Sequence, residues 1–434
     1  MRRTISVFLA LAFLGYASAA APHPPAPSPI PSPRPGEGET LEALVATALE
    51  RSPALAARRA ALRAAREREE PAGALPDPMV EAMLQNADFP RYTVGTVDMS
   101  MAGVEVRQGL PYPGKRHARV AAARAETELR AAELAAEEGR VTAAVRSLYA
   151  RIYALDREKQ ARAAGRELAD LLSATAAARY SAGSGEQEPI LKAQLELSRL
   201  EEALEGLEGE RAEAVAELGR RLGGPGAGEL GEIAELPPVG DLPGDPPGDL
   251  AQVAVDASPE VLTARASLAA AEGRLAVARL DRKPDFVPSA GLATRGSLGA
   301  VLTLRFGVEL PFWKKTKQEP LIRAAEAEVE MARGELADAE AMARAEAARL
   351  AARRRQAERQ IVRFREAILP QSSAAFDAAR ASYLNGRGDF STVVADFGLW
   401  LEARVELARR EAERFVAWAE VERLTGAGAL RRMP

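Results

Sequence analysis

The chain has 434 residues, 28% of them charged and only 5% aromatic, with Ala, Leu, Glu and Arg prominent. That mixture suits long helices and coiled coil better than a globular core. A net charge of −4 spread along the chain argues against a nucleic-acid partner, and the lack of cysteine excludes disulfides and thiolate metal sites.

From the N-terminus, Arg2 and Arg3, the apolar run Ile5 to Tyr16 and "ASA" at 17–19 predict a signal peptide over 1–19. No later stretch approaches ~20 consecutive apolar residues, so the mature protein is either soluble or enters a membrane as a β-barrel. It has no cysteine to carry a lipid. Residues 20–39, with "PHPPAPSPIPSPRP" at 22–35, predict an extended Pro-rich tether. A first repeat over 40–223 reads as a helix at 40–70, strands at 80–86 and 101–110, a long helix at 115–180 and a helix at 188–222. Residues 224–248 form a Pro/Gly-rich linker. Its GxGxxG at Gly226, Gly228 and Gly231 lacks the preceding strand and following helix of a dinucleotide site. A second repeat over 249–426 reads as a helix at 249–283, strands at 286–294 and 300–310, a long helix at 316–383 and a helix at 389–425, with 427–434 as a tail.

Four collinear matches support the duplication. "RSPALAARRAALRAA" at 51–65 matches "ASPEVLTARASLAAA" at 257–271, and "GLPYPGKR" at 109–116 matches "ELPFWKKT" at 309–316. "RYSAGSGEQEPIL" at 179–191 matches "SYLNGRGDFSTVV" at 382–394, and "ELGRRLG" at 217–223 matches "EVERLTG" at 420–426. The offsets stay within about 200–206 residues.

In the second long helix Ile322, Val329, Leu336, Ala343, Leu350, Ala357 and Phe364 recur every seven residues. Such a seam predicts left-handed supercoiling. In each repeat the two shorter helices sum to about the length of the long one, ~100 Å at 1.5 Å per residue, so they can stack end to end along it.

The strands alternate. Val80, Ala82 and Leu84 oppose Glu81, Met83 and Gln85; Ala102, Val104 and Val106 oppose Gly103, Glu105 and Arg107. Leu302, Leu304, Phe306 and Val308 oppose Thr303, Arg305, Gly307 and Glu309. The pattern fits a lipid-facing barrel with a wet lumen, and equally an ordinary half-buried sheet. The strand at 286–294 is the poorest, because Pro288 interrupts it. Four strands cannot close a barrel, so copies must share one; two, three or four copies are allowed and three is preferred.

Joints, duplication and the Y-x-x-G turns at Tyr180–Gly183 and Tyr383–Gly386 together resemble the TolC-like outer-membrane efflux family over residues 40–426. "LPYPGK" at 110–115 is most similar to the branch serving cation and other RND-type exporters. The resemblance implies a mainly α fold with a small β part: duplicated long-helix hairpins in an α-helical barrel, and four strands per chain in a 12-stranded barrel of a homotrimer. It also implies a passive exit duct, without enzymatic activity, that docks through its hairpin tips onto a periplasmic adaptor and an inner-membrane pump. The place implied is the outer membrane, with a long periplasmic extension.

Asp389 and Asp396, with Arg387 and Tyr383, are then the candidate periplasmic gate, where charged rings set ion preference. Asp389 reads equally as a helix N-cap. Gly183, Gly185, Glu186, Gly386 and Gly388 are candidate adaptor contacts at the tips. Tyr112, Lys115, Phe312, Trp313 and Lys314 suit the membrane–water boundary and its headgroups. No cofactor or metal is expected. Met79, Met83, Met99 and Met101 crowd the first strand pair, but Met79 and Met83 fall in a strand whose remaining residues show no ligand set. His23 and His117 are isolated, and HExxH, GxSxG and P-loop motifs are missing. A periplasmic adaptor or a structural coiled-coil protein is the alternative.

Overall fold

The computed structural model describes residues 40–87, 93–183, 185–224, 230–240 and 247–426. The expected signal peptide, the whole of the tether, much of the linker and the tail lie outside them. The elements run α1 Leu41–Arg51, α2 Pro53–Arg66, α3 Glu69–Ala72, β1 Met79–Gln85, β2 Met101–Arg107, α4 Lys115–Ser181 and α5 Glu188–Arg221. There follow α6 Pro247–Ala257, α7 Pro259–Leu280, β3 Asp285–Thr294, β4 Ala300–Glu309, α8 Glu319–Arg363, α9 Leu369–Leu384 and α10 Phe390–Leu424.

The single helices expected at 40–70 and 249–283 are in fact broken, at Ser52 and Ser258. Each serine precedes a proline, and a residue before proline is driven out of the α region. Ser52 has ψ 123° and Ser258 ψ 129°, and the proline opens the next helix at its first position. By contrast α4 is unbroken for 67 residues.

End-to-end stacking is visible at two equivalent glycines. Gly223, after α5, adopts φ +85° so close to Arg51 that a Cβ would lie 2.5 Å from its carbonyl oxygen. Gly426, after α10, adopts φ +64° and meets the Ala257 carbonyl in the same manner. Glycine alone takes that conformation at little cost.

The seam of α8 is buried at Ile322, Val329, Ala343, Leu350 and Ala357, but it does not continue in phase past Phe364. A π-helical turn at Phe364–Ile368 separates α8 from α9. Buried Ile361 and buried Phe376 are fifteen residues apart, one more than two heptads. The extra residue of the π-turn thus shifts the buried stripe by one position.

The strands form one antiparallel sheet in the order β1-β2-β3-β4. Pro288 does not weaken β3, which spans ten residues. Its carbonyl oxygen accepts from Gln108 N at 3.0 Å, one step past the last β2 ladder pair, Arg107 with Ser289. The missing N–H therefore faces the end of β2, and no bond of the β3–β4 ladder is lost.

Burial is strung along the helices in four clusters. One holds Val145, Ile152, Leu218 and Phe415; another, near the hairpin turns, holds Phe376, Tyr383, Phe390 and Phe397. The inter-repeat segment is pinned by fully buried Asp156, which accepts from Arg211 Nε at 2.6 Å and Ile233 N at 2.8 Å.

Candidate functional site

The sheet sorts its residues by face. Register sets Val80 opposite Val106, Val104 opposite Leu292, Ala290 opposite Leu304 and Pro288 opposite Phe306, so the apolar positions form one continuous face. Val80, Leu292, Leu302, Leu304 and Phe306 on it are all exposed. A contiguous uncovered apolar surface of this kind marks contact with lipid or another protein. The opposite face carries Glu81, Glu105, Arg107 and Arg305. The outer edges of β1 and β4 have no partner strand among the described residues. Also among the described residues, no helix is long and apolar enough to cross a membrane.

The joints connect the strands to α4 and α8. Gly114, at φ +96°, turns the chain into α4. Lys115, expected beside headgroups, is instead 4% exposed. Its ammonium donates to Asp285 Oδ1 at 2.8 Å and to the Lys283 carbonyl at 2.9 Å. A buried ammonium requires such partners, and here they lie at the start of β3, which also receives Tyr112 N on Asp285 at 2.7 Å. The first joint thus fastens the two repeats together. The second joint projects outward: Phe312 is 81% and Trp313 74% exposed, and Lys314 opens an exposed π-helical turn.

The hairpin turns share one design. Gly183 and Gly386 adopt φ +71° and +72°, and each donates to the carbonyl of the tyrosine three residues earlier at 3.0 Å. Gly185 and Gly388 supply space: a Cβ at either would lie 3.1 Å from the backbone nitrogen of Tyr180 or Tyr383. Gly185 is half-buried; Glu186, Gly386 and Gly388 are exposed.

Of the expected gate residues, Arg387 and Asp389 are exposed and Asp396 is half-buried. Asp389 takes the extended N-cap conformation of α10, yet its carboxylate accepts from the Ser391 hydroxyl rather than from the helix backbone. Lys192 on α5 is raised above the ordinary lysine pKa, mainly by its bond to Glu188 and to a lesser extent by the charge of Asp389. Tyr383 turns inward, its ring 5.2 Å from Phe390 in an edge contact.

Sequence reasoning missed Arg179. Its guanidinium lies 4.8 Å over the Tyr383 ring and donates to the Tyr383 carbonyl oxygen, joining the two hairpins at their turns. The signal was a mismatch between repeats, since Ser382 stands where Arg179 would be repeated.

The comparisons agree with this geometry. A family model described as outer membrane efflux protein matches residues 44–224 and 250–427. No curated protein matches the chain. Among solved structures, the outer membrane protein VceC from Vibrio cholerae is similar at TM-score 0.75 and 19% identity, over 89% of this chain and 96% of that one. The CmeC outer membrane channel from Campylobacter jejuni is similar at TM-score 0.75 and 12% identity, over 90% and 86%. CusC is similar at TM-score 0.76 and 16% identity, over 89% and 91%. Matched over both halves by the family model, and sharing its fold with these channels, the chain belongs to the outer membrane efflux protein family.

Proposed function

We propose that this protein is the exit duct of a tripartite efflux system, passively conducting solutes across the outer membrane and catalysing no reaction. The observation that carries the reading is the four-stranded sheet: one face is apolar and exposed, the other charged, and both edges are open among the described residues. Open edges are not viable in lipid, where unpaired N–H and C=O groups cost several kcal/mol each. Three copies, as a homotrimer, close twelve strands into one barrel, and the helices continue it as a periplasmic tunnel. Phe312, Trp313 and Lys314 then settle at the lipid boundary, and Tyr112 lies just inside it.

The two repeats, 40–223 and 249–426, act as duplicated hairpin units joined by the linker 224–248. Their turns, through Gly183, Gly185, Glu186, Gly386 and Gly388, meet a periplasmic adaptor, with an RND-type inner-membrane pump beyond it. Asp389, Asp396 and Arg387 line the entrance, and the Arg179–Tyr383 contact favours its closed form.

Reconstitution in planar bilayers tests the reading. Purified protein should give discrete conducting steps and fractionate with the outer membrane as heat-resistant oligomers. A soluble periplasmic monomer without conductance contradicts it and favours a structural coiled-coil protein.

A further inference from the structure

The charged face of the sheet carries one connected cluster. Arg305 on β4 pairs with Glu105 on β2, across the whole width of β3. The reach is possible because β3 puts small residues in between, Gly291 opposite Glu105 and Ser289 opposite Arg305. A Cβ at 291 would lie 3.4 Å from Glu105 Cβ. Arg107 Nη2 then lies 3.8 Å from Glu105 and 3.3 Å from Glu81 on β1.

The formal charges cancel, but their exposure does not. The Glu105 side chain is 7% exposed, whereas Arg305 is 55%, Arg107 42% and Glu81 45% exposed. A solute beside this cluster meets two guanidiniums and one carboxylate, with the second carboxylate hidden beneath them; Glu309, exposed on the same face, lies four residues along β4 from Arg305. Rings of exposed arginine favour anions in pores.

We propose, on the reading of this face as the lumen wall, that the cluster is an ion-selecting belt in the membrane part of the duct. Arg305 and Arg107 present positive charge to passing solutes, so anionic solutes are favoured over cationic ones at this level. Glu105 is the covered counter-charge that holds Arg305 in place, and Gly291 is the small residue that lets them meet. Identical copies repeat the belt once per chain.

The test is the reversal potential of single channels under a potassium chloride gradient. Coulomb's law in water gives one unit charge about 8 Å from an ion a roughly two-fold effect on its occupancy. Arg305→Gln and Arg107→Gln should each lower chloride occupancy and raise potassium occupancy by about that factor, moving the chloride-to-potassium permeability ratio toward potassium by roughly four-fold, and Glu105→Gln should move it toward chloride. Arg107 is held only loosely, so its variant reports even if Glu105 or Arg305 variants fail to assemble. Conducting R305Q and R107Q channels with an unchanged ratio overturn the belt.

The chain lacks cysteine, which separates this outcome from failure of the lumen reading. Thr303→Cys, on the charged face, should be modified and blocked by a water-soluble thiol reagent, while Leu304→Cys should not. Block at position 303 with inert charge variants removes the belt alone. Modification at 304 and not at 303 removes the lumen reading, and the belt with it.

Discussion

Two lysines at equivalent positions in the repeats have opposite fates. Lys115 is buried against Asp285, whereas Lys315 is exposed in the π-helical turn of the second joint. Type and spacing in the sequence are the same, so the difference was not legible there; it is set by what β3 places opposite the first joint. Lys115→Ala leaves the Asp285 carboxylate without its cation and should cost about 1–3 kcal/mol, read as a lowered thermal midpoint of the purified oligomer. Lys315→Ala should change stability by less than about 0.5 kcal/mol. At the hairpin turns, Arg179→Ala removes a cation–π contact and a hydrogen bond, a loss of about 1–3 kcal/mol. If this contact holds the entrance shut, the variant spends more time conducting in bilayer recordings; unchanged open probability removes Arg179 from the gate.

Among the elements, the strands were legible because alternation has a period of two and one slip would reverse every side chain. Observed β1 and β4 differ from the expected spans by single residues at their ends. The α8 seam was legible for the corresponding reason, with a period of seven. What escaped was local backbone choice. The Ser52 and Ser258 breaks follow from serine–proline pairs within otherwise helical periodicity, and the π-turn at Phe364–Ile368 adds one residue without altering composition. The tips were legible through Gly183 and Gly386, whose positive φ no bulky residue tolerates well. Each non-glycine residue in that region costs about 1–2 kcal/mol. Nothing lies within 4 Å of a Cβ at Gly183, so the penalty there is purely conformational and local. The double variant Gly183→Val with Gly386→Val should therefore still form oligomers but lose efflux, measured as sensitivity of cells to an exported compound. Full tolerance in such cells contradicts adaptor docking at these turns.

The whole molecule is explained by one imbalance: helices long enough for a tunnel, joined to a sheet too narrow to enclose a pore. Hydrophobic cores strung along α4, α8 and α10 stabilise the hairpins within a single chain. The sheet has no such solution, since its apolar face and both edges are left uncovered among the described residues. Copy number is the quantity that resolves this, and single-chain sequence patterns do not encode it. Native mass spectrometry of protein extracted in mild detergent measures it directly. The account predicts a species three times the mass of one mature chain. A stable single-chain species that retains its sheet would contradict it.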